Sequence, residues 1–143
     1  MKTTLQQLSI FLENKIGSLY EIMDILSKAE IKIIAATVAD TTEFGILRVI
    51  TSDNERAYAL LREAQKNTNK SEVIALLCDS YAASFNEQLH KFCAEGVVIE
   101  YMYCFSNNQK TVMIMRVSDT QKALQIAESK GITTLNNDDI LAL

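Results

Sequence analysis

Leu8, Ile10 and Leu12 recur at every second position between Leu5 and Leu12, the period that predicts a strand with one buried face. Glu13-Asn14-Lys15-Ile16-Gly17-Ser18 breaks that pattern. From Leu19 the apolar positions fall at Leu19, Ile22, Met23, Leu26 and Ala29, the spacing of one face of an amphipathic helix. Ser18 is placed to cap it, with Glu21 completing a capping box. Ile31 to Ala39 is rich in Ile, Val and Ala, Asp40-Thr41-Thr42-Glu43 supplies a polar reversal, and Phe44 to Thr51 carries β-branched and aromatic residues. These read as a hairpin. Ser52 or Asp53 then caps a second helix with Ala57, Leu60, Leu61 and Ala64 on one face.

The same order follows again. Phe85, Leu89, Phe92 and Cys93 predict a helix, Val97 to Phe105 and Thr111 to Val117 a hairpin, Ala123, Ile126 and Ala127 a further helix, and Ile132 to Leu135 a closing strand. Leu19, Glu21, Glu30-Ile31, Ser52-Asp53 and Ala57 are echoed 66 positions later by Phe85, Glu87, Gly96-Val97, Ser118-Asp119 and Ala123. A repeat this long is a duplicated domain rather than a solenoid unit. The polar run Lys66-Asn67-Thr68-Asn69-Lys70 marks the boundary, giving domains 1–70 and 71–143. The last strand of the first half is expected there, either short or continuous with Glu72 to Cys78. Each half then reads βαββαβ, an α+β ferredoxin-like unit with an antiparallel sheet and both helices on one face. Ile31–Ala39 and Val97–Phe105 are edge strands in that topology. Their pairing, half to half, is the expected route to a continuous, pseudo-symmetric sheet.

Composition narrows the function. A net charge of −4 supplies no basic stripe, so neither nucleic acid nor an anionic membrane is an expected partner. No apolar run approaches the roughly 20 residues of a membrane span and no leader pattern is present, so a cytoplasmic location is expected. The three cysteines, Cys78, Cys93 and Cys104, lie in apolar stretches without metal-binding spacing and are expected to be buried. His90 has no second histidine to share a metal. No nucleophile elbow, phosphate loop or dinucleotide fingerprint occurs, so neither catalysis nor a cofactor is expected. Asp138-Asp139 reads as a solvated pair, and Arg48 and Arg116 as exposed sheet arginines.

The informative stretch joins the first strand to the first helix. Amide N–H groups at a helix start favour an anion such as a carboxylate. Gly17 allows close approach to the backbone, and Asn14 offers a donor and an acceptor, enough for the two head groups of an amino acid.

Gln7-Leu8-Ser9-Ile10-Phe11-Leu12-Glu13-Asn14-Lys15-Ile16-Gly17-Ser18-Leu19, with Ala39-Asp40-Thr41 and Phe44-Gly45-Ile46-Leu47-Arg48, resembles the ACT domain, a small regulatory module that binds amino acids. The similarity runs through nearly the whole chain as two tandem copies, more specific in the first. It is most like the free-standing tandem ACT proteins of bacteria, which carry no attached enzyme. The resemblance implies a non-catalytic regulatory protein with an amino acid held between its two ACT units. Asn14, Lys15, Gly17, Ser18 and Leu19 would hold the head groups, with Ile16 standing where the family usually has proline. Asp40 and Thr41 would close the site, and Tyr101, Met102 and Tyr103 would face it from the other unit. The corresponding second loop, Asp79-Ser80-Tyr81-Ala82-Ala83-Ser84, lacks glycine and has an extra residue. Two other readings stand beside this one: an interaction module that regulates a partner enzyme through edge-strand pairing, and a small enzyme using Asp40, Arg48 or a cysteine. Exposed edges also leave room for a homodimer.

Overall fold

The alternation at Leu8, Ile10 and Leu12 produces a strand whose three side chains are all buried. The computed structural model describes residues 3–40 and 43–143, apart from the side chain of Asn107. In chain order the elements are β1 (Leu5–Glu13), α1 (Ser18–Lys28), β2 (Ile33–Asp40), β3 (Phe44–Thr51), α2 (Asn54–Glu63) and β4 (Thr68–Asp79). They continue with α3 (Ala82–Cys93), β5 (Ile99–Asn107), β6 (Lys110–Val117), α4 (Thr120–Ser129), β7 (Thr134–Leu135) and α5 (Asn137–Leu141). Two compact units share the chain: Gln6–Ser71, and Glu72–Leu143 with residues 3–5. Each is a βαββαβ arrangement.

The first unit orders its strands β2-β3-β1 and then the opening residues of β4. The polar segment that the hydrophobic pattern left open is thus the start of a 12-residue strand. Polar side chains are tolerated there because backbone pairing holds the segment: the Phe11 N–H donates to the Asn67 carbonyl at 2.9 Å, and the Ser9 and Ser71 hydroxyls meet at 3.4 Å. Leu8, Ile10 and Leu12 of β1, Leu47 and Val49 of β3, Ile22 and Leu26 of α1, and Ala57 and Leu61 of α2 form one core. Both helices therefore cover the same sheet face. Each buried aliphatic side chain stabilises by roughly 1.5–3 kcal/mol relative to exposure.

The second unit orders its strands β5-β6-β4-β7, with a core built on Ile74, Leu76, Phe92, Met113, Met115, Ala123 and Ile126. Its hairpin is tighter than the pattern predicts. β5 and β6 pair up to Asn107 and Lys110, leaving Asn108 and Gln109 with φ of 50° and 66°, the left-handed pair that a two-residue turn needs to match strand twist.

Several expectations change. Among the described residues β2 pairs with β3 and β5 with β6, and the expected pairing of Ile31–Ala39 with Val97–Phe105 does not occur. Only Cys78 is buried; Cys93 and Cys104 are exposed, because Cys93 ends its helix and Cys104 lies on an outer strand. Asp139 is not simply solvated. Its carboxylate accepts from the Asn136 N–H at 2.9 Å and its own N–H donates to Asn136 Oδ1 at 2.8 Å, a capping box that starts α5.

The sequence repeat is explained by backbone duties. Ser52 exchanges two bonds with Lys32: its N–H donates to the Lys32 carbonyl and its hydroxyl accepts the Lys32 N–H, both at 2.9 Å. Ser118 does the same with Val98, at 2.9 and 3.0 Å. The next residue caps the helix in each copy, Asp53 accepting from the Arg56 N–H and Asp119 from the Lys122 N–H. The helix ends repeat as well. Ile31 to Leu26, Lys66 to Leu61, Val97 to Phe92 and Ile132 to Ala127 are all N–H to carbonyl bonds across a left-handed residue. That residue is Gly96 or Gly131 in the second copy but Glu30 (φ 57°) or Gln65 (φ 62°) in the first. A side chain costs about 1–2 kcal/mol in this region. Glu30→Gly and Gln65→Gly are therefore each expected to stabilise the protein by about 1 kcal/mol, read as a higher denaturation midpoint at unchanged slope.

Candidate functional site

Glu13 ends β1, and the chain turns through Asn14, Lys15 and Ile16 to reach Gly17. The turn is closed by the Lys15 N–H donating to the Glu13 carbonyl at 2.8 Å. Gly17 sits at φ 88° as the residue preceding α1, a conformation that favours glycine. Ser18 does not cap the helix. Its hydroxyl turns back to the Glu13 and Lys15 carbonyls, at 2.6 and 3.2 Å, because Gly17 places it as the first helical residue rather than before it. Among the described residues no side chain caps α1. The amide N–H groups of Leu19 and Tyr20 have no acceptor among the described residues, and they reinforce the positive end of the helix dipole.

This uncapped start opens on a cavity of about 400 Å³ lined by Asn14, Lys15, Gly17, Ser18, Leu19 and Asp40, with Leu12, Val38 and Gly45 among the other contributors. Six of the expected site residues are thus brought together by the first unit alone. Ile16 is fully exposed and does not line the cavity. Thr41 lies outside the described residues. Tyr101, Met102 and Tyr103 are on β5, where successive side chains alternate. Tyr101 and Tyr103 share one face, opposite Arg116 and Ile114, while Met102 takes the other, opposite Met115. The three side chains are thus divided between the two faces of the sheet.

Electrostatics tie the loop to the body of the unit. Lys15 approaches Glu13 at 3.6 Å and Glu21 at 3.7 Å, and Lys66 meets the other Glu21 oxygen at 2.5 Å. Glu21 is thus an anchor for two lysines rather than part of a capping box. The hydrogen bond from Lys66, then the nearby charge of Lys15, hold its carboxyl below the ordinary value. A depressed carboxylate stabilises the fold above its unfolded pKa and loses that contribution as pH falls through the folded value. The melting-temperature gap between the wild type and Glu21→Gln is expected to be constant near neutral pH, to begin narrowing as pH falls below the ordinary glutamate value and to close as pH passes the depressed folded one.

The matching loop of the second unit borders a wider cavity of about 600 Å³, but its polar groups serve one another. Lys110 Nζ holds Asp79 at 2.8 Å, the Asp79 N–H donates to Ser84 Oγ at 3.2 Å, and the Ser80 and Thr111 hydroxyls meet at 2.7 Å. Burial pushes the Cys78 thiol up, with Cys104 and Asp79 adding to the shift, so this cysteine is a poor nucleophile. Among the described residues no group of His, Cys, Asp and Glu is arranged to hold a metal, and no helix is long and apolar enough to cross a membrane.

The family model for the ACT domain pair matches residues 3–143. The chain belongs to the ACT domain pair family. ACT domains are regulatory modules without catalysis of their own. Among solved structures, the ACT pair is similar to the protein BT0572 of Bacteroides thetaiotaomicron, with 36% identity, 99% of each chain covered and a TM-score of 0.92. It shares its fold with the ligand-free regulatory subunit of aspartate kinase from Thermus thermophilus, at 11% identity, 90% and 93% coverage and a TM-score of 0.58. The Thermus flavus regulatory subunit is similar at 11% identity, 87% and 90% coverage and 0.57. No curated protein gives a significant match.

Sequence reasoning missed Leu12, Val38 and Gly45 as cavity residues. The alternation in β1 carried the signal for Leu12, since the helix-facing side of a strand end borders the helix start. The other two depend on register. Leu12 stands opposite Gly45 and Asp40 opposite Gly45, a rung visible only once the strands are paired.

Proposed function

We propose that this ACT pair, with domains 1–70 and 71–143, is a non-catalytic cytoplasmic regulator that senses an amino acid at the Asn14–Leu19 loop of its first unit. The observation that carries the reading is an uncapped helix start, with Gly17 at φ 88°, opening on a cavity of about 400 Å³, within the usual size range of small-molecule sites. The ligand carboxylate lies against the Leu19 and Tyr20 N–H groups with Lys15 nearby. Its ammonium group lies toward Asp40 and the Asn14 side-chain carbonyl. The second unit's loop, whose charges and hydroxyls are mutually engaged, binds nothing, so one ligand is held per chain. The regulated partner is an enzyme on another chain, met through the outer strands β2 and β5.

A metabolite sensor needs an affinity in the micromolar to millimolar range, roughly −8 to −4 kcal/mol. Thermal-shift screening of the twenty amino acids is expected to find at least one that raises the melting temperature, since a ligand selective for the native state adds about 2.7 kcal/mol at a hundred times its Kd. Asn14→Ala weakens that response at unchanged ligand-free stability. No shift with any amino acid refutes the proposal.

A further inference from the structure

We infer that Gly45 is the floor of a side-chain pocket that makes the sensor selective for aliphatic amino acids; this rests on reading the first-unit cavity as an amino-acid site. Glycine weakens a strand, and inside one it often marks a place where something approaches the backbone closely. Gly45 lies within β3 and is not among the residues with positive φ, so its backbone does not require glycine. Its rung faces the helices, as Leu47 two residues on belongs to the core beneath them. A Cβ placed there would meet the Ala39 carbonyl oxygen at 3.4 Å and Leu12 Cβ at 3.5 Å, which is ordinary contact. A side chain would therefore fit, and it would stand in the cavity.

Three of the residues around this floor are aliphatic, beside the aromatic Tyr20 and Phe44 and the charged Glu13, Lys15 and Asp40. Leu12 comes from β1, Val38 from β2 and Leu19 from the first turn of α1, and the last two are left 49% and 40% exposed. Exposed aliphatic groups that converge on one concave site gain by covering each other with a ligand's apolar side chain. Among the described residues the charged groups at this end are already engaged. Glu13 and Lys15 are paired with each other and Lys15 also approaches Glu21, and on the proposed reading Lys15 and Asp40 serve the ligand's own carboxylate and ammonium groups. Leucine, isoleucine and valine satisfy the pocket; aspartate, glutamate and lysine would be desolvated there without a counter-charge.

Calorimetric titration of the wild type, Gly45→Ala and Gly45→Val with leucine, valine, alanine, aspartate and lysine tests this. In the wild type, leucine or valine is expected to bind about ten-fold or more tighter than alanine, and the charged amino acids more weakly still. Gly45→Val should lose leucine binding by at least about ten-fold while keeping alanine. Gly45→Ala, whose methyl meets only ordinary contacts, should lie between and remains informative if the valine variant does not fold by circular dichroism. Tightest binding of a charged amino acid, or unchanged leucine affinity in Gly45→Ala, overturns the pocket assignment and leaves amino-acid sensing standing. Absence of binding by any amino acid overturns both.

Discussion

Asn54→Ala is expected to destabilise the first unit by about 3 kcal/mol, since a buried group left without its partner costs about 1–3 kcal/mol and this change orphans several. Asn54 Oδ1 accepts from both the Thr51 N–H, at 2.9 Å, and the Thr51 hydroxyl, at 2.8 Å. Its amide donates to the Gln6 carbonyl at 2.8 Å. Asn54 is 8% and Thr51 3% exposed, so water cannot replace these bonds freely. The network joins the end of β3, the start of α2 and β1, and fixes how α2 sits over the sheet. Its place in the second copy is taken by Val117 and Thr120, which cannot build it. Thr120→Ala should therefore change stability by well under about 1 kcal/mol. Urea denaturation of both variants checks the contrast; equal effects would show that the network carries no special weight.

Gly17→Val is expected to abolish most ligand affinity, by about 100-fold, equivalent to about 2.7 kcal/mol. A Cβ at Gly17 would meet nothing within 4 Å, so the obstacle is not crowding but φ of 88°. A β-branched residue held there costs on the order of 1–3 kcal/mol. The loop relieves that strain by moving position 17 out of the left-handed region, which re-aims the Leu19 and Tyr20 N–H groups and frees the Ser18 hydroxyl from its two carbonyls. Global stability should fall by no more than the strain itself, because the loop borders the core of β1, β3, α1 and α2 without belonging to it. Titration with the amino acid that stabilises the wild type, beside a melting curve of the variant, separates lost affinity from lost fold. Wild-type affinity in this variant would place the ligand away from the loop.

The elements were legible because hydrophobic period dominates them. Phe44 to Thr51 has the same limits in sequence and structure, and the doubled Ser-Asp pairs mark both caps. The start of β4 was not legible, because Thr68 to Ser71 is held by backbone pairing that leaves no hydrophobic pattern. Ser18 misled for a local reason: the residue before it takes the left-handed conformation, moving the helix start one position back. Leu19 fits the apolar face by spacing yet remains 40% exposed, being the first turn above the cavity rather than part of the core. The loop half of the site was visible in Asn14, Lys15 and Gly17, whose chemistry is local. The sheet half was hidden, since Val38, Asp40 and Gly45 meet Leu12 only through strand register.

Amide chemical-shift mapping by NMR, with the stabilising amino acid added to the whole chain, shows where the ligand binds. Saturable shifts are expected to concentrate at Gly17, Ser18, Leu19, Tyr20 and Gly45, at one ligand per chain, with the Asp79–Ser84 loop unmoved. Shifts centred on Asp79–Ser84 instead, or none at Gly17–Tyr20, would contradict binding at the Asn14–Leu19 loop.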